Sequence, residues 1–304
     1  MAKVCLVIMD GASHDAVLSE CGYLEAAVEA GHARRWKMRT CLPTISAAMY
    51  ETIHTGLAPV DHGILGNDDL RPTRCANLFH TLKSAGKIGA AVAHSYYHTL
   101  YGGTPFDVFE HIEIDDASAP IPFARYYTME GYGPINSCLP AEIDLCAQAW
   151  GLVVRNSPDY LLVHSCGPDT LGHTYTGDSP EYRKQIWRLD NALSRFIPRM
   201  TEAGYQVMVT ADHGQAAQMI PEKSMFSTKI YGGFPVATPG SVARIKTPEG
   251  SIMAINYATN ESFAEEHTGV NVAIFANQTG HRLIKPMQAQ SDIFDISAAF
   301  LGLK

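Results

Sequence analysis

Apolar positions fall into two kinds of run. Val4–Met9, Ile88–His94, Asp159–His164, Tyr205–Thr210 and Asn271–Ala276 are short, nearly continuous apolar stretches, rich in β-branched residues and bounded by turn signals. Such runs predict strands buried on both faces of a parallel sheet. Between them the spacing turns helical: Ala16–Ala30 closed by Gly31, Ser46–Thr55 closed by Gly56, Ala76–Ala85 closed by Gly86, then Ala141–Asn156, Pro180–Ala203 and Ser291–Leu303. Strands alternating with helices predict an α/β fold with a mainly parallel central sheet flanked by helices. Residues 215–266 differ. Gly232-Gly233, Pro239-Gly240 and Glu249-Gly250 punctuate alternating apolar residues, which predicts a small antiparallel excursion. Residues 95–140 read as irregular and hold six of the 14 tyrosines: Tyr96, Tyr97, Tyr101, Tyr126, Tyr127 and Tyr132. Their plainest role is a hydrophobic cluster; the alternative is a pocket that stacks a planar group. With no repeat, linker or charge run, residues 1–304 are expected to form a single domain, the excursions 95–140 and 215–266 covering its active site.

Composition narrows the function classes. A 46% apolar, 18% charged chain is neither disordered nor fibrous. The formal net charge of −8 argues against a nucleic-acid polymer as partner, and no apolar run reaches the roughly 18 residues of a membrane span. The seven cysteines are scattered without a Cys-x-x-Cys, which excludes a zinc ribbon and a disulfide framework. Met1-Ala2-Lys3 leads directly into an apolar strand, so a reducing, cytoplasmic location is expected.

Open parallel sheets collect functional groups at the carboxyl ends of their strands. Here the first predicted strand ends at Asp10, the third is followed by Asp169-Thr170-Leu171-Gly172-His173, and the fourth ends at Ala211-Asp212-His213-Gly214. Glu266-His267-Thr268-Gly269 precedes the 271–276 strand. Each piece alone is a turn, a surface pair or a core histidine. Together they bring carboxylates and imidazoles, the usual ligands of Zn²⁺ and similar divalent ions, to one sheet edge.

The set resembles the alkaline phosphatase superfamily, in particular its type I phosphodiesterase/nucleotide pyrophosphatase branch. The matching pieces are Met9-Asp10-Gly11, Pro43 to Ser46 with Thr55-Gly56-Leu57, His62-Gly63-Ile64, Pro168-Asp169 through Gly172-His173, Ala211-Asp212-His213-Gly214 and His267-Thr268-Gly269. The resemblance implies one metal held by Asp169, His173 and His267, and a second held by Asp10, Asp212 and His213 with the nucleophile. The nucleophile it implies stands nine residues before a Thr-Gly, which selects Ser46, with Thr44 as the alternative. A helix start there would offer free N–H groups to a phosphate. Cys41-Leu42-Pro43 is only superficially sulfatase-like, since residue 45 is Ile45 rather than arginine.

The implied activity is two-metal hydrolysis of phosphodiester or nucleotide pyrophosphate bonds through a covalent Ser46 intermediate. Zn²⁺ is expected, with Mn²⁺ or Fe compatible, and the partner is a small-molecule phosphate ester. A phosphomonoesterase, a phosphonate C–P hydrolase and a non-catalytic metal-binding domain are the alternatives. Met49, three residues into the helix from Ser46, has no hydrogen-bond donor. The resemblance implies a donor to a phosphoryl oxygen near the nucleophile; with Met49 offering none, the donor is expected to be Arg125, Tyr96, Tyr97, His94, His98 or the Ala47 N–H.

Overall fold

The computed structural model describes residues 3–41, 43–129, 139–215 and 289–303, with the strand segments 226–231, 234–237, 242–246, 252–256, 267–268 and 272–277. Strand β1 (Lys3–Met9) leads through helices α1 (His14–Glu20) and α2 (Gly22–Glu29) to β2 (Ala33–Met38). Helices α3 (Ser46–Thr55), α4 (Pro59–His62) and α5 (Leu78–Ser84) follow, then β3 (Gly89–His94), α6 (Tyr96–Tyr101), β4 (Glu113–Asp115) and β5 (Phe123–Tyr127). Next come α7 (Glu142–Asn156), β6 (Tyr160–Ser165), α8 (Gly167–Tyr175), α9 (Pro180–Glu202), β7 (Tyr205–Thr210) and β8 (Gly214–Gln215). The remaining elements are β9 (Phe226–Tyr231), β10 (Phe234–Ala237), β11 (Val242–Lys246), β12 (Ile252–Asn256), β13 (His267–Thr268), β14 (Val272–Asn277) and α10 (Asp292–Leu301).

The main sheet has eight strands in the order β2-β14-β7-β1-β6-β3-β5-β4. The five strands from β7 to β5 are mutually parallel, while β14 and β4 run against their neighbours. In β1, Val4 through Met9 are all at most 2% exposed. That burial on both faces is what the unbroken apolar run encodes. β9 pairs antiparallel with β10, and β11 with β12, as the turn signals in 215–266 predict. Among the described residues no helix is long and apolar enough to cross a membrane.

Two local expectations change, and one strand was not expected. The stretch read as one helix over 16–30 is broken at Cys21, whose ψ of 72° leaves the helical range. The cause is tertiary. Asp190 on α9 caps α2, accepting from the Tyr23 N–H at 2.7 Å and the Leu24 N–H at 3.1 Å. Residues 95–140, expected to be irregular, supply α6 and the sheet strands β4 and β5. Tyr97, Tyr101, Tyr126 and Tyr127 are buried in the core, so the hydrophobic-cluster reading holds for these four; Tyr132 lies outside the described residues. Finally, β2 is a strand that its charged residues Arg34, Arg35 and Lys37 disguise; it lies at the sheet edge, antiparallel to β14.

Asp190→Ala would leave two backbone N–H groups at the start of α2 without their acceptor. It is expected to lower unfolding stability by about 1–3 kcal/mol, measured by denaturant titration.

Candidate metal centre and nucleophile

Three adjacent central strands, β7, β1 and β6, position the site. Met9 pairs with Ser165, and Ile8 with Thr210, so the three strands end level with one another. Asp10 extends β1 by one residue, its N–H donating to the Ser165 carbonyl at 2.9 Å. Asp212 and His213 follow β7, and Asp169 sits in the first turn of α8, just beyond β6.

Asp10, Asp212 and His213 are buried and their ligand-type atoms lie close together. Each carboxylate has one oxygen tied down and one left over. Asp212 Oδ1 accepts from the Gly11 N–H at 3.1 Å and the His213 N–H at 2.9 Å. Asp10 Oδ2 accepts from the Tyr50 hydroxyl and from His164 Nε2. Asp10 Oδ1 and Asp212 Oδ2 have no hydrogen-bond partner among the described residues, and each lies 3.3 Å from His213 Nε2. His213 Nδ1 lies 3.2 Å from the Gly214 carbonyl. A proton on Nδ1 donates there and leaves the Nε2 lone pair facing the carboxylates.

Two carboxylate oxygens and an imidazole lone pair converging in a buried space repel one another. Burial and the charges of Asp10 and Asp169 push the Asp212 carboxyl well above the usual range. Asp10 is pressed upward by burial and by Asp169, yet the hydrogen bond from His164 holds its carboxyl below the usual range. A divalent cation resolves this conflict, and the donor set of two carboxylates and one imidazole suits it.

Ser46 opens α3, with Ile45 in extended conformation as its N-cap, and its Oγ lies 3.2 Å from His213 Nε2. The hydroxyl therefore faces the same nitrogen as both carboxylates. One proton on Nε2 cannot serve all three; a cation among them can. Gly56, at φ 74°, closes the helix as its sequence position predicts. His62 and His54 belong to the support of α3 rather than the site. His62 Nδ1 accepts from the Ile64 N–H and its Nε2 donates to Thr52, at 3.1 Å each; burial pushes its pKa down to about 3. His54 bridges the Tyr50 carbonyl and the Tyr160 hydroxyl.

The second expected ligand set is placed in part. Asp169 Oδ2 faces His173 Nε2 at 3.4 Å, one helical turn away. Its Oδ1 accepts from Gln215 Nε2, repeating the pattern of one oxygen held and one offered. The backbone of His267 pairs with Gln215 in the β13–β8 ladder, two residues after His213; its side chain lies outside the described residues. Asp169 approaches the first set because Gly11 has no side chain. A Cβ there would stand 2.8 Å from Asp169 Cα, and φ at Gly11 is +71°.

Sequence reasoning missed Asn67, Gln215 and His164. Asn67 Oδ1 accepts from the Ala47 N–H at 3.2 Å, so its carboxamide lies over the start of α3. That contact engages the N–H expected to serve a phosphoryl oxygen, and the same carboxamide carries an Nδ2 donor. Of the other expected donors, Arg125 is engaged by Asp115 at 2.8 Å, Tyr97 stacks on Tyr50 in the core, and His98 stacks on His111. His94 and Tyr96 pack edge to face at the end of β3, and burial pushes His94 down to about 3. Met49 is fully buried. No motif spacing marks these three residues, because each acts through a tertiary contact.

A mostly parallel eight-stranded sheet flanked by helices, with a few antiparallel strands, is an alkaline phosphatase-like α/β fold. Residues 4–280 match the family described as type I phosphodiesterase / nucleotide pyrophosphatase, and the chain belongs to that family. Its fold is similar to that of murine ectonucleotide pyrophosphatase / phosphodiesterase 5, solved as an inactive form in complex with AMP: 14% identity, TM-score 0.65, 100% of this chain and 96% of that one. It is also similar to phosphonoacetate hydrolase from Sinorhizobium meliloti 1021 in complex with phosphonoacetate: 16% identity, TM-score 0.64, 99% and 96%. A segment is 31% identical over 117 residues to alkaline phosphatase of Escherichia coli (strain K12), covering 38% of this chain. Another is 40% identical over 68 residues to 2,3-bisphosphoglycerate-independent phosphoglycerate mutase of Chloroflexus aggregans, covering 22% of this chain. These matches span 22% and 12% of the two relatives' own lengths.

Gly11→Ala combines a left-handed backbone cost of about 1–2 kcal/mol with a collision against Asp169. The variant is expected to lose stability in thermal unfolding and, in equilibrium dialysis, to bind divalent cations more weakly than the parent.

Proposed function

We propose that this chain hydrolyses phosphoric esters, specifically phosphodiester or nucleotide pyrophosphate bonds of small molecules, in two displacements through a covalent intermediate on Ser46. The observation that carries this is the convergence of Asp10 Oδ1, Asp212 Oδ2 and Ser46 Oγ on His213 Nε2, at 3.3, 3.3 and 3.2 Å. Membership of the phosphodiesterase family supports it. Asp10, Asp212, His213 and Ser46 would hold one divalent cation, and Asp169, His173 and His267 a second, all carried by a single α/β domain. Zn²⁺ suits this mix of carboxylate and imidazole best, and Mn²⁺ or Fe is compatible. When bound, the pair of cations lowers the pKa of the attacking hydroxyl and of water and neutralises charge on the phosphoryl oxygens.

The chain's own groups account for the rest. Ser46 Oγ attacks phosphorus in line with the leaving oxygen, gives its proton to solvent, and the P–O bond breaks as the Oγ–P bond forms, the leaving oxygen departing with the electron pair. The start of α3 presents a partial positive charge to the phosphoryl group. Asn67 Nδ2 donates to a non-bridging oxygen, a contact that strengthens as charge develops there. Water then attacks phosphorus from the side the leaving group vacated. The Oγ–P bond breaks, Oγ takes up the proton that the attacking water gives up, and the phosphate product leaves.

Ser46→Ala is expected to lower turnover of a bis-aryl phosphate by about 10³-fold or more and to abolish covalent labelling by a ³²P substrate, while most of the metal binding is kept by Asp10, Asp212, His213 and the second ligand set. Retained turnover in this variant, together with its loss in Thr44→Ala, would move the nucleophile to Thr44. Asn67→Ala is expected to lower kcat by about 10²–10³-fold. Comparing mono-aryl with bis-aryl phosphates separates a monoesterase from a diesterase.

A further inference from the structure

A second buried cluster lies directly behind Asp10. Asp10, His164 and Cys166 bring three ligand-type atoms together, which raises the question of a further metal. The hydrogen bonding answers it differently. All of the donors address one atom, Asp10 Oδ2: the Tyr50 hydroxyl, His164 Nε2 at 3.1 Å and the Cys166 thiol at 3.7 Å. A carboxylate oxygen that receives these bonds has no lone pair to spare for a cation. Asp10 Oδ1 receives none and faces His213.

His164 is oriented in turn. The Tyr127 hydroxyl donates to the His164 carbonyl at 2.9 Å, lies 3.0 Å from His164 Nδ1 and accepts from the Cys166 N–H at 3.2 Å. The Asp10 carboxylate can only accept, so its contact with His164 Nε2 calls for a ring proton there. Tyr50 is fixed as firmly. Its ring stacks on Tyr97 at 4.4 Å and meets His164 edge-on at 4.9 Å. Its carbonyl accepts from the Tyr101 hydroxyl at 3.0 Å and from His54 Nδ1 at 2.9 Å. Tyr50 also stands four residues after Ser46 on α3, so one phenol ties the nucleophile's helix to the carboxylate on β1.

From this geometry we infer that His164 and Tyr50 are positioning residues, a clamp that makes Asp10 a one-oxygen metal ligand and sets its distance from Ser46. The inference rests on the proposed two-metal reading and deepens it. The clamp costs nothing at the moment of binding, because Asp10 is aimed before the cation arrives. Partners of this kind around metal ligands typically account for about 10–100-fold in affinity.

The test is Zn²⁺ titration of the metal-stripped chain against a chromophoric chelator, with thermal unfolding of each stripped variant alongside. The parent is expected to bind two equivalents. His164→Leu is expected to bind one of them about 10–100-fold more weakly and the other unchanged. His164→Gln, whose amide N–H can stand in for Nε2–H, recovers most of that loss. Tyr50→Phe, which removes one hydroxyl and keeps the ring packing, weakens the same equivalent. The clamp is overturned if Tyr50→Phe and His164→Leu hold both equivalents at parental affinity, or if glutamine recovers nothing. Three equivalents in the parent, falling to two in His164→Leu, would make His164 a ligand instead. A parent that binds no Zn²⁺ would sink the two-metal reading itself, and the clamp with it.

Discussion

Two buried carboxylates, each with an unpaired oxygen aimed at one imidazole nitrogen, set the terms for the rest of this structure. Such an arrangement is costly in a low-dielectric interior unless positive charge enters it. The fold tolerates it because the oxygens that do not face His213 are fully engaged, Asp212 by backbone N–H groups and Asp10 by Tyr50 and His164. The structure therefore resembles a socket held open by its own hydrogen bonds. The same rule shapes Asp169, with Gln215 on one oxygen and His173 facing the other.

The socket depends on strand order. Because β1 lies between β6 and β7 and the three end level, residues over 200 apart in sequence meet without long loops. Gly11 lets the third carboxylate come close. Helix α3 then delivers Ser46 to the same point, and Tyr50, on that helix, registers it against Asp10. Packing, electrostatics and chemistry are coupled here through a few side chains, so a change in the support reaches the site through Asp10.

Much of this was legible in the residues. The run Val4–Met9 announces a strand buried on both faces, and Asp10, Asp212 and His213 stand where such strands end. The resemblance put the expected nucleophile nine residues before a Thr-Gly, and Ser46 stands at the start of α3, which Gly56 closes. What escaped was whatever another element decides. Cys21 interrupts a helical pattern because Asp190, far along the chain, captures the Tyr23 and Leu24 N–H groups. β2 carries charges because it is an edge strand. Asn67, Gln215 and His164 have no motif of their own; only the folded chain shows which group each one holds.

The central claim is that the Asp10–Asp212–His213 cluster is a cation site that also engages Ser46. Anomalous diffraction at the zinc edge, from crystals of the metal-loaded protein, tests it most directly. The account predicts a peak at bonding distance from Asp10 Oδ1, Asp212 Oδ2 and His213 Nε2, with Ser46 Oγ beside it and Asp10 Oδ2 still held by Tyr50 and His164. A map without density at that point, or with the metal bound to His164 and Cys166 instead, would contradict it.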